Sequence, residues 1–384
     1  MNFRRIATVA LKEWRETIRD RMFVLLAFLL PVLWMIVFGY GLVQDVEEIP
    51  FGVVDRDHSS LSRDYLYRFF ESRYFSFRGY LPGEKEADAL LASGKVRIVI
   101  VVPEKFEEQL FQGQSVSIQT LIDGTFPLRT DIVKGYVIAI NSAFSGERVI
   151  EYLSRRRGMS LEQAGAHTHP IKTEVRYLYN EEVRSTWSMV PALVMFTLMV
   201  SSPLLTALGI VREKETGSIY NIYSSTVTRF EYLSGKLLPY VAISSVNAGV
   251  LWLLATQWFD VPFKGSLPFF LAASLVFVLS STGIGLVVSL LVRTQIAALV
   301  ITMVVSMLPT ILFSGLIVPV SSLSRGSQIQ AHLFPGMYYT NIVRGAFLKG
   351  VGAEVLWIDV LALAVYAVIL RGVGYRLFSK RPRS

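Results

Sequence analysis

Met22–Val43 reads MFVLLAFLLPVLWMIVFGYGLV, an uncharged run closed off by Asp20-Arg21 before it and Asp45 after it. At 1.5 Å of rise per residue, roughly 20 apolar residues cross about 30 Å of hydrocarbon, so this stretch is long enough to span a bilayer as a helix. Working outward, five further runs have the same character, near Met189–Val211, Leu237–Trp258, Leu267–Val292, Ile296–Val320 and Val355–Phe378. Pro31, Pro203 and Pro309 fall inside them, and membrane helices tolerate proline when neighbours satisfy the freed carbonyls. Asp359 and Arg371 make the last run the least clean. The composition agrees: of 384 residues, 52% are hydrophobic and 18% charged, against roughly 25% charged in soluble domains. The expectation is an α-helical polytopic membrane protein with six transmembrane helices. The first run exceeds the apolar core of a secretory leader and no A-x-A-like site follows it, so it reads as a retained anchor.

Cysteine is absent, and histidine occurs only at His58, His167, His169 and His332. Disulfides, thiolate zinc sites, iron–sulfur clusters and Cys nucleophiles are thereby excluded together. Lys and Arg in short loops mark the cytoplasmic side. Segment 1–21, the loop after the second run, the turn at Arg293 and the C-terminal tail (with basic residues 379–384) carry sixteen of them. The short loops of the other side carry four: Lys264, Arg325, Arg344 and Lys349. This bias predicts both termini in the cytoplasm and residues 44–186 outside. The outer segment holds eighteen basic and twenty-one acidic residues, the cytoplasmic segments sixteen and six. The chain's +8 is therefore aimed at anionic lipid of the inner leaflet, not at nucleic acid.

The segment 44–186 is long enough for one domain. Ile49–Asp55, Phe75–Tyr80, Val96–Val102, Ser115–Ile122 and Ile171–Tyr179 read as strands. Val96–Val102 is β-branched almost throughout, the pattern of a strand buried on both faces. Ser60–Ser72, Glu84–Leu91, Pro103–Leu110 and Leu128–Arg157 read as helices. The alternation predicts a small α/β or α+β domain. Asp55-Arg56-Asp57-His58 reads as a strand-to-helix turn with Ser59 or Ser60 as cap, and His167 and His169 as loop histidines. No G-x-S-x-G, H-E-x-x-H or S-x-x-K motif suggests hydrolytic chemistry, so the domain reads as a docking or gating surface.

Residues 1–21 read as a cytoplasmic amphipathic helix in the membrane interface, with Phe3, Ala7, Ala10, Trp14 and Ile18 on one stripe and arginines mainly elsewhere. Two segments carry more information. After the second run stand Arg212-Glu213-Lys214-Glu215-Thr216-Gly217-Ser218 and Ile219-Tyr220-Asn221-Ile222-Tyr223, closing with Glu231-Tyr232-Leu233-Ser234-Gly235-Lys236. Acid and base are packed at the membrane exit, and Gly217 permits a sharp turn. Between the fifth and sixth runs stand Ser314-Gly315-Leu316-Ile317-Val318-Pro319, Phe334-Pro335, Tyr339, Arg344-Gly345 and Leu348-Lys349-Gly350.

On these segments, in this topology, the chain resembles the ABC-2 family of ATP-binding-cassette transporter permeases. Members carry Glu-Lys-Glu-x-Gly-(Thr/Ser) after the second span and Glu-x-Leu-x-Gly-Lys leading into the third. The match lies at Glu213, Lys214, Glu215, Gly217, Ser218, Glu231, Leu233, Gly235 and Lys236. Thr226 and Arg325-Gly326 stand where the family commonly has proline. The resemblance implies an ABC-2 (type V exporter-like) fold with an inserted extracytoplasmic domain, in a bacterial cell (inner) membrane. It implies that 212–236 forms the coupling helix, touching a separate ATPase subunit through Glu213, Lys214, Glu215, Thr216, Gly217, Ser218 and Ile219. It assigns Gly315, Pro319, Pro335, Tyr339, Arg344 and Gly350 to an outer re-entrant hairpin over 319–354. In relatives spans two and five line the path, and here they offer Met195, Met199, Ser202, Met303 and Met307.

The sequence has no G-x-x-x-x-G-K-[ST] loop, so it lacks the P-loop route to nucleotide. ATP and Mg are then expected on the partner ATPase, with no cofactor, metal or catalysis on this chain. The other expected partners are a second copy or a related permease (homo- or heterodimer), membrane lipid and a periplasmic adaptor. Two rival functions stay open. An ion-coupled carrier usually holds an ionisable residue at mid-membrane, and the first five runs have none there. A membrane-anchored surface receptor would use its external domain alone.

Overall fold

The computed structural model describes residues 2–41, 48–125, 127–158, 160, 162–163, 178–182, 184–220 and 225–378. The chain forms two compact units, Met1–Val43 with Tyr177–Ser384, and Gln44–Arg176. The first unit contains six helices long and apolar enough to cross a membrane: Arg21–Gly41, Ser185–Glu215, Arg229–Trp258, Leu267–Leu291, Gln295–Phe313 and Ala353–Leu377. They are called spans one to six. Span two runs on to Glu215 and span three begins at Arg229 rather than Leu237. Both extensions carry charges, and they stay helical because neighbouring helices neutralise those charges.

Span two is the hub. Its most apolar window is wholly buried within the chain, whereas those of spans one, five and six are 28%, 22% and 17% buried. Small residues set the closest crossings. A Cβ on Gly285 of span four would stand 2.2 Å from the Pro203 carbonyl oxygen of span two, and one on Gly283 would stand 2.8 Å from Leu370 of span six. The run Ser280-Ser281-Thr282-Gly283 thus packs inside one chain, with all three hydroxyl residues buried. Between spans five and six lie two short helices, Arg325–His332 and Pro335–Arg344, the second running on into a wide π-helical turn at Gly345–Lys349.

The second unit has a four-stranded sheet of order β2-β1-β3-β4, with β1 at Ile49–Asp55, β2 at Phe75–Tyr80, β3 at Ile98–Val102 and β4 at Gln119–Ile122. β1 is parallel to β2 and β3, and β4 is antiparallel to β3. Every residue of β3 is buried. One face packs Phe51, Val53 and Ile100 against Tyr65, Phe69 and Phe144, and the other packs Val54, Val99 and Val101 against Ala87. The helices are Ser60–Phe70, Glu84–Ala92, Phe106–Phe111 and Pro127–Arg157, and Ser59 caps the first by accepting from the Ser62 amide at 3.0 Å. The strand expected over Ser115–Ile122 is shorter, because Ser115, Val116 and Ile118 leave the sheet to wall a cavity beside Tyr65 and Phe144. Residues 171–177 of the last expected strand, His167 and His169 lie outside the described residues.

Candidate functional site

The site is built at the end where span two stops and span three starts. The N-terminal helix, Phe3–Arg19, buries Ile6, Ala10, Glu13 and Thr17. It can approach span three because position 235 has no side chain: a Cβ there would stand 2.7 Å from Val9 Cβ and 2.8 Å from the Ile6 carbonyl oxygen. The apolar stripe expected in the membrane interface lies mostly off this protein contact: Phe3, Ala7, Trp14 and Ile18 are exposed and only Ala10 faces protein. The face buried against the chain includes an acid, which an apolar stripe does not reveal.

Glu13 is buried because two groups of span three meet it: the Lys236 ammonium and the Tyr240 hydroxyl both donate to its carboxylate. Lys236, itself only 1% exposed, also lies 3.2 Å from Glu213 of span two. Glu213 accepts from the Tyr232 hydroxyl at 2.6 Å and from Lys12 Nζ at 2.9 Å. The carboxylates of Glu13, Glu16 and Glu213 converge within 4.8 Å, and the ammonium groups of Lys12 and Lys236 supply the countercharge. Burial pushes the Glu13 carboxyl above the usual carboxylate range, against the pull of Lys236. For Lys12 burial acts downward, but the hydrogen bond and charge of Glu213 outweigh it and hold its pKa up.

The next two residues reach different helices. Lys214 donates to the Ser289 and Val292 carbonyls at the end of span four. Glu215 accepts from the Gln295 backbone amide at 3.1 Å and its side-chain amide at 2.8 Å, at the start of span five. Gly217 then turns the chain with φ +75°, and Ile219 is buried beside Tyr232 and Leu237. Glu231 closes a capping box with Thr228 and accepts from the Asn2 amide at 2.8 Å. Arg5 donates to the Thr226 carbonyl at 2.9 Å. Of the seven residues expected at a partner contact, Glu215 and Thr216 are exposed, Gly217 and Ser218 half-exposed, Lys214 partly buried, and Glu213 and Ile219 buried. The side chains of Glu213 and Ile219 are therefore committed inside the chain. Residues 221–224 lie outside the described residues.

The hairpin residues form a second cluster, away from this one. Tyr339 is fully buried, its ring stacked on Phe277 of span four at 4.0 Å and its hydroxyl 2.6 Å from Ser274. Arg344 donates to the Leu316 carbonyl at 3.3 Å near Gly315, which turns with φ +80°. Pro335 opens its helix, Pro319 precedes a short 3-10 turn, and Gly350 ends the 345–349 turn in the left-handed region at φ +68°. The path candidates sit together at the hub. Met195, Met199 and Ser202 of span two are fully buried, and Met303 and Met307 of span five are partly buried against the same core. A band of hydroxyls surrounds them. Thr197, Ser201 and Ser202 of span two, Ser244 of span three, Ser280 of span four, and Thr302 and Ser306 of span five are buried without a hydrogen-bond partner among the described residues.

Glu13, Tyr232 and Tyr240 were not singled out by the sequence. The only trace of Glu13 was an acid in the row 6-10-13-17, the small, polar side of an otherwise apolar-striped helix.

Six membrane-length helices, the second of them buried among its neighbours, with a charged clamp where that helix ends, define a polytopic helical membrane protein. The chain belongs to the ABC-2 transporter family: the family model described as "ABC-2 family transporter protein" matches residues 21–376. It is similar to the probable multidrug ABC transporter permease YbhS of Escherichia coli K12, at 28% identity over 382 residues, covering 99% of this chain and 98% of YbhS. The probable multidrug ABC transporter permease YbhR of the same strain is 23% identical over 379 residues, covering 99% of each chain. The inner membrane transport permease YhhJ, also of that strain, is 24% identical over 372 residues, covering 94% of this chain and 93% of YhhJ.

Proposed function

We propose that this chain is the membrane-spanning permease subunit of an ATP-binding-cassette exporter, driven by a separate ATPase that docks on the loop after span two. The carrying observation is the way that loop is rooted. Glu213, Lys214 and Glu215 tie the end of span two to the N-terminal helix with span three, to span four and to span five in turn. A push on the exposed tip is thus delivered to every one of these elements. On this reading Glu215, Thr216, Gly217 and Ser218 meet the ATPase, while Glu213, Lys214 and Ile219 form the root that transmits the displacement. ATP and Mg reside on the partner.

Both termini and this loop are cytoplasmic, as the Lys/Arg bias requires, and residues 44–186 form the external domain, the surface open to a periplasmic adaptor. The outward stripe of span five, with Ile301, Val304, Val305, Leu308 and Leu312 exposed, serves the second permease subunit. Spans two and five part to open the path, and the hydroxyl band and pliable methionines then face cargo. The names of YbhS and YbhR, probable multidrug permeases, support a cargo of the multidrug kind.

The test is charge reversal at the tip. The purified chain should hydrolyse no ATP, a co-expressed ATPase should co-purify with it, and Glu215→Arg should lower cargo-stimulated hydrolysis about tenfold, the size of a typical coupling energy. Gln295→Ala removes the side-chain amide that donates to Glu215 and keeps the backbone one; it leaves the surface charge unchanged and should leave coupling near wild type. Intact assembly and transport in Glu215→Arg would refute the docking assignment.

A further inference from the structure

Arg371 lies in span six, six residues before its end at Leu377, or about 9 Å along the axis at 1.5 Å per residue. Its guanidinium has no hydrogen bond or ion pair among the described residues, and its Nε is buried without a partner. A charge at this depth is costly unless something neutralises it. The other arginine whose Nε is orphaned within the helical unit, Arg344, at least donates to the Leu316 carbonyl. Arg371 instead lines a cavity of about 500 Å³ between spans three, four and six.

The cavity is built like a slot for an amphipathic anion. Its walls are apolar, with Leu237, Leu238 and Val241 of span three and Leu279 of span four among them, and Arg371 is its only charged lining residue among the described residues. Leu238 and Tyr375 are strongly exposed at its rim, so it opens sideways, where the spans meet lipid. All three helices contribute from the same end of the bundle: span three from its first turns, spans four and six towards their last. Ser234 and Tyr375 add two hydroxyl residues to the same lining.

We propose that this cavity holds one anionic phospholipid, with its phosphate on Arg371 and an acyl chain along Leu237, Leu238, Val241 and Leu279. A guanidinium fork matches phosphate oxygens in a bidentate way, and the two hydroxyls supply donors for those that remain. Among the described residues the lining carries no carboxylate, so an ethanolamine headgroup would bring its ammonium beside a cation with nothing to receive it. A glycerol headgroup has no such penalty. Basic pockets between membrane helices are a recurrent lipid-headgroup site on the cytoplasmic side. Placing this one in the cytoplasmic leaflet rests on the orientation proposed above, whereas the binding itself does not.

The full chain, purified with its partners, is equilibrated in an equal mixture of phosphatidylglycerol and phosphatidylethanolamine, washed, and its retained lipid quantified by class. Wild type should retain phosphatidylglycerol in excess, and Arg371→Gln should lower that excess about tenfold, the loss of one charge-assisted contact. Leu238→Trp fills the slot while leaving the cation in place, and should lose the retained lipid as well. Adding inorganic phosphate during the wash should change nothing. An Arg371→Gln protein that keeps the wild-type excess overturns the proposal. So does a Leu238→Trp protein that does, or an excess erased by free phosphate, which would mean a headgroup-sized anion site alone.

Discussion

Lys236 satisfies two carboxylates at once, one of them 223 positions away in the sequence. Replacing it by methionine leaves Glu13 and Glu213 buried with less countercharge, and removing one partner of a buried pair typically costs about 3–5 kcal/mol. Lys236→Met should therefore lower the thermal unfolding temperature of the solubilised protein sharply. The double variant Glu13→Gln/Lys236→Met should recover part of the loss, because neighbouring sites are not additive. If the double variant is no more stable than the single, the three groups do not act as one network. None of this was legible in the sequence. Glu213 and Lys236 stood out as matches to a family pattern, which assigned Glu213 to a partner contact and gave Lys236 no contact of its own. Their inward role depends on Gly235 admitting the N-terminal helix, a contact between residues no local spacing connects.

At the level of elements the sequence was far more informative. The apolar runs marked all six long helices, and strand and helix alternation marked β1 to β4 and the helices between them. The errors were at ends: span two runs to Glu215, span three starts at Arg229, and span five stops at Phe313 instead of reaching Val320, because the chain turns at Gly315. Hydropathy stops at a charge, whereas a helix stops only when its backbone and charges lose their partners. Packing inside an element was partly visible as well. The small residues of span four marked a close crossing, but not which helix they would meet. A direct comparison tests that crossing. Gly285→Ala would press a methyl group on the Pro203 carbonyl and should cost about 1–3 kcal/mol, as overpacking does. Gly249→Ala on span three meets nothing within 4 Å and should be neutral or slightly stabilising, since alanine favours helix. Equal unfolding temperatures for the two variants would show that spans two and four can part without cost.

For the molecule as a whole, orientation is the claim on which docking and cargo direction depend, and the absence of cysteine makes it cleanly testable. Single cysteines at exposed Lys85 and exposed Thr216 should react oppositely with a membrane-impermeant maleimide. Lys85→Cys should label in intact cells, and Thr216→Cys only after permeabilisation; the reverse pattern would invert the protein. The inference rests on the sequence, where charge bias is summed over many residues and survives errors at any one. Family membership was legible for a similar reason: two weak motifs in one topology constrain each other.

The encasement of span two has a consequence for turnover. Surrounding bilayer touches spans one, five and six far more than it touches the hub, so a molecule headed for Met195 must first separate protein from protein. Its rate of passage should follow the work of prising packed helices apart, with the steep temperature response that entails, and be largely indifferent to how fluid the adjoining acyl chains are.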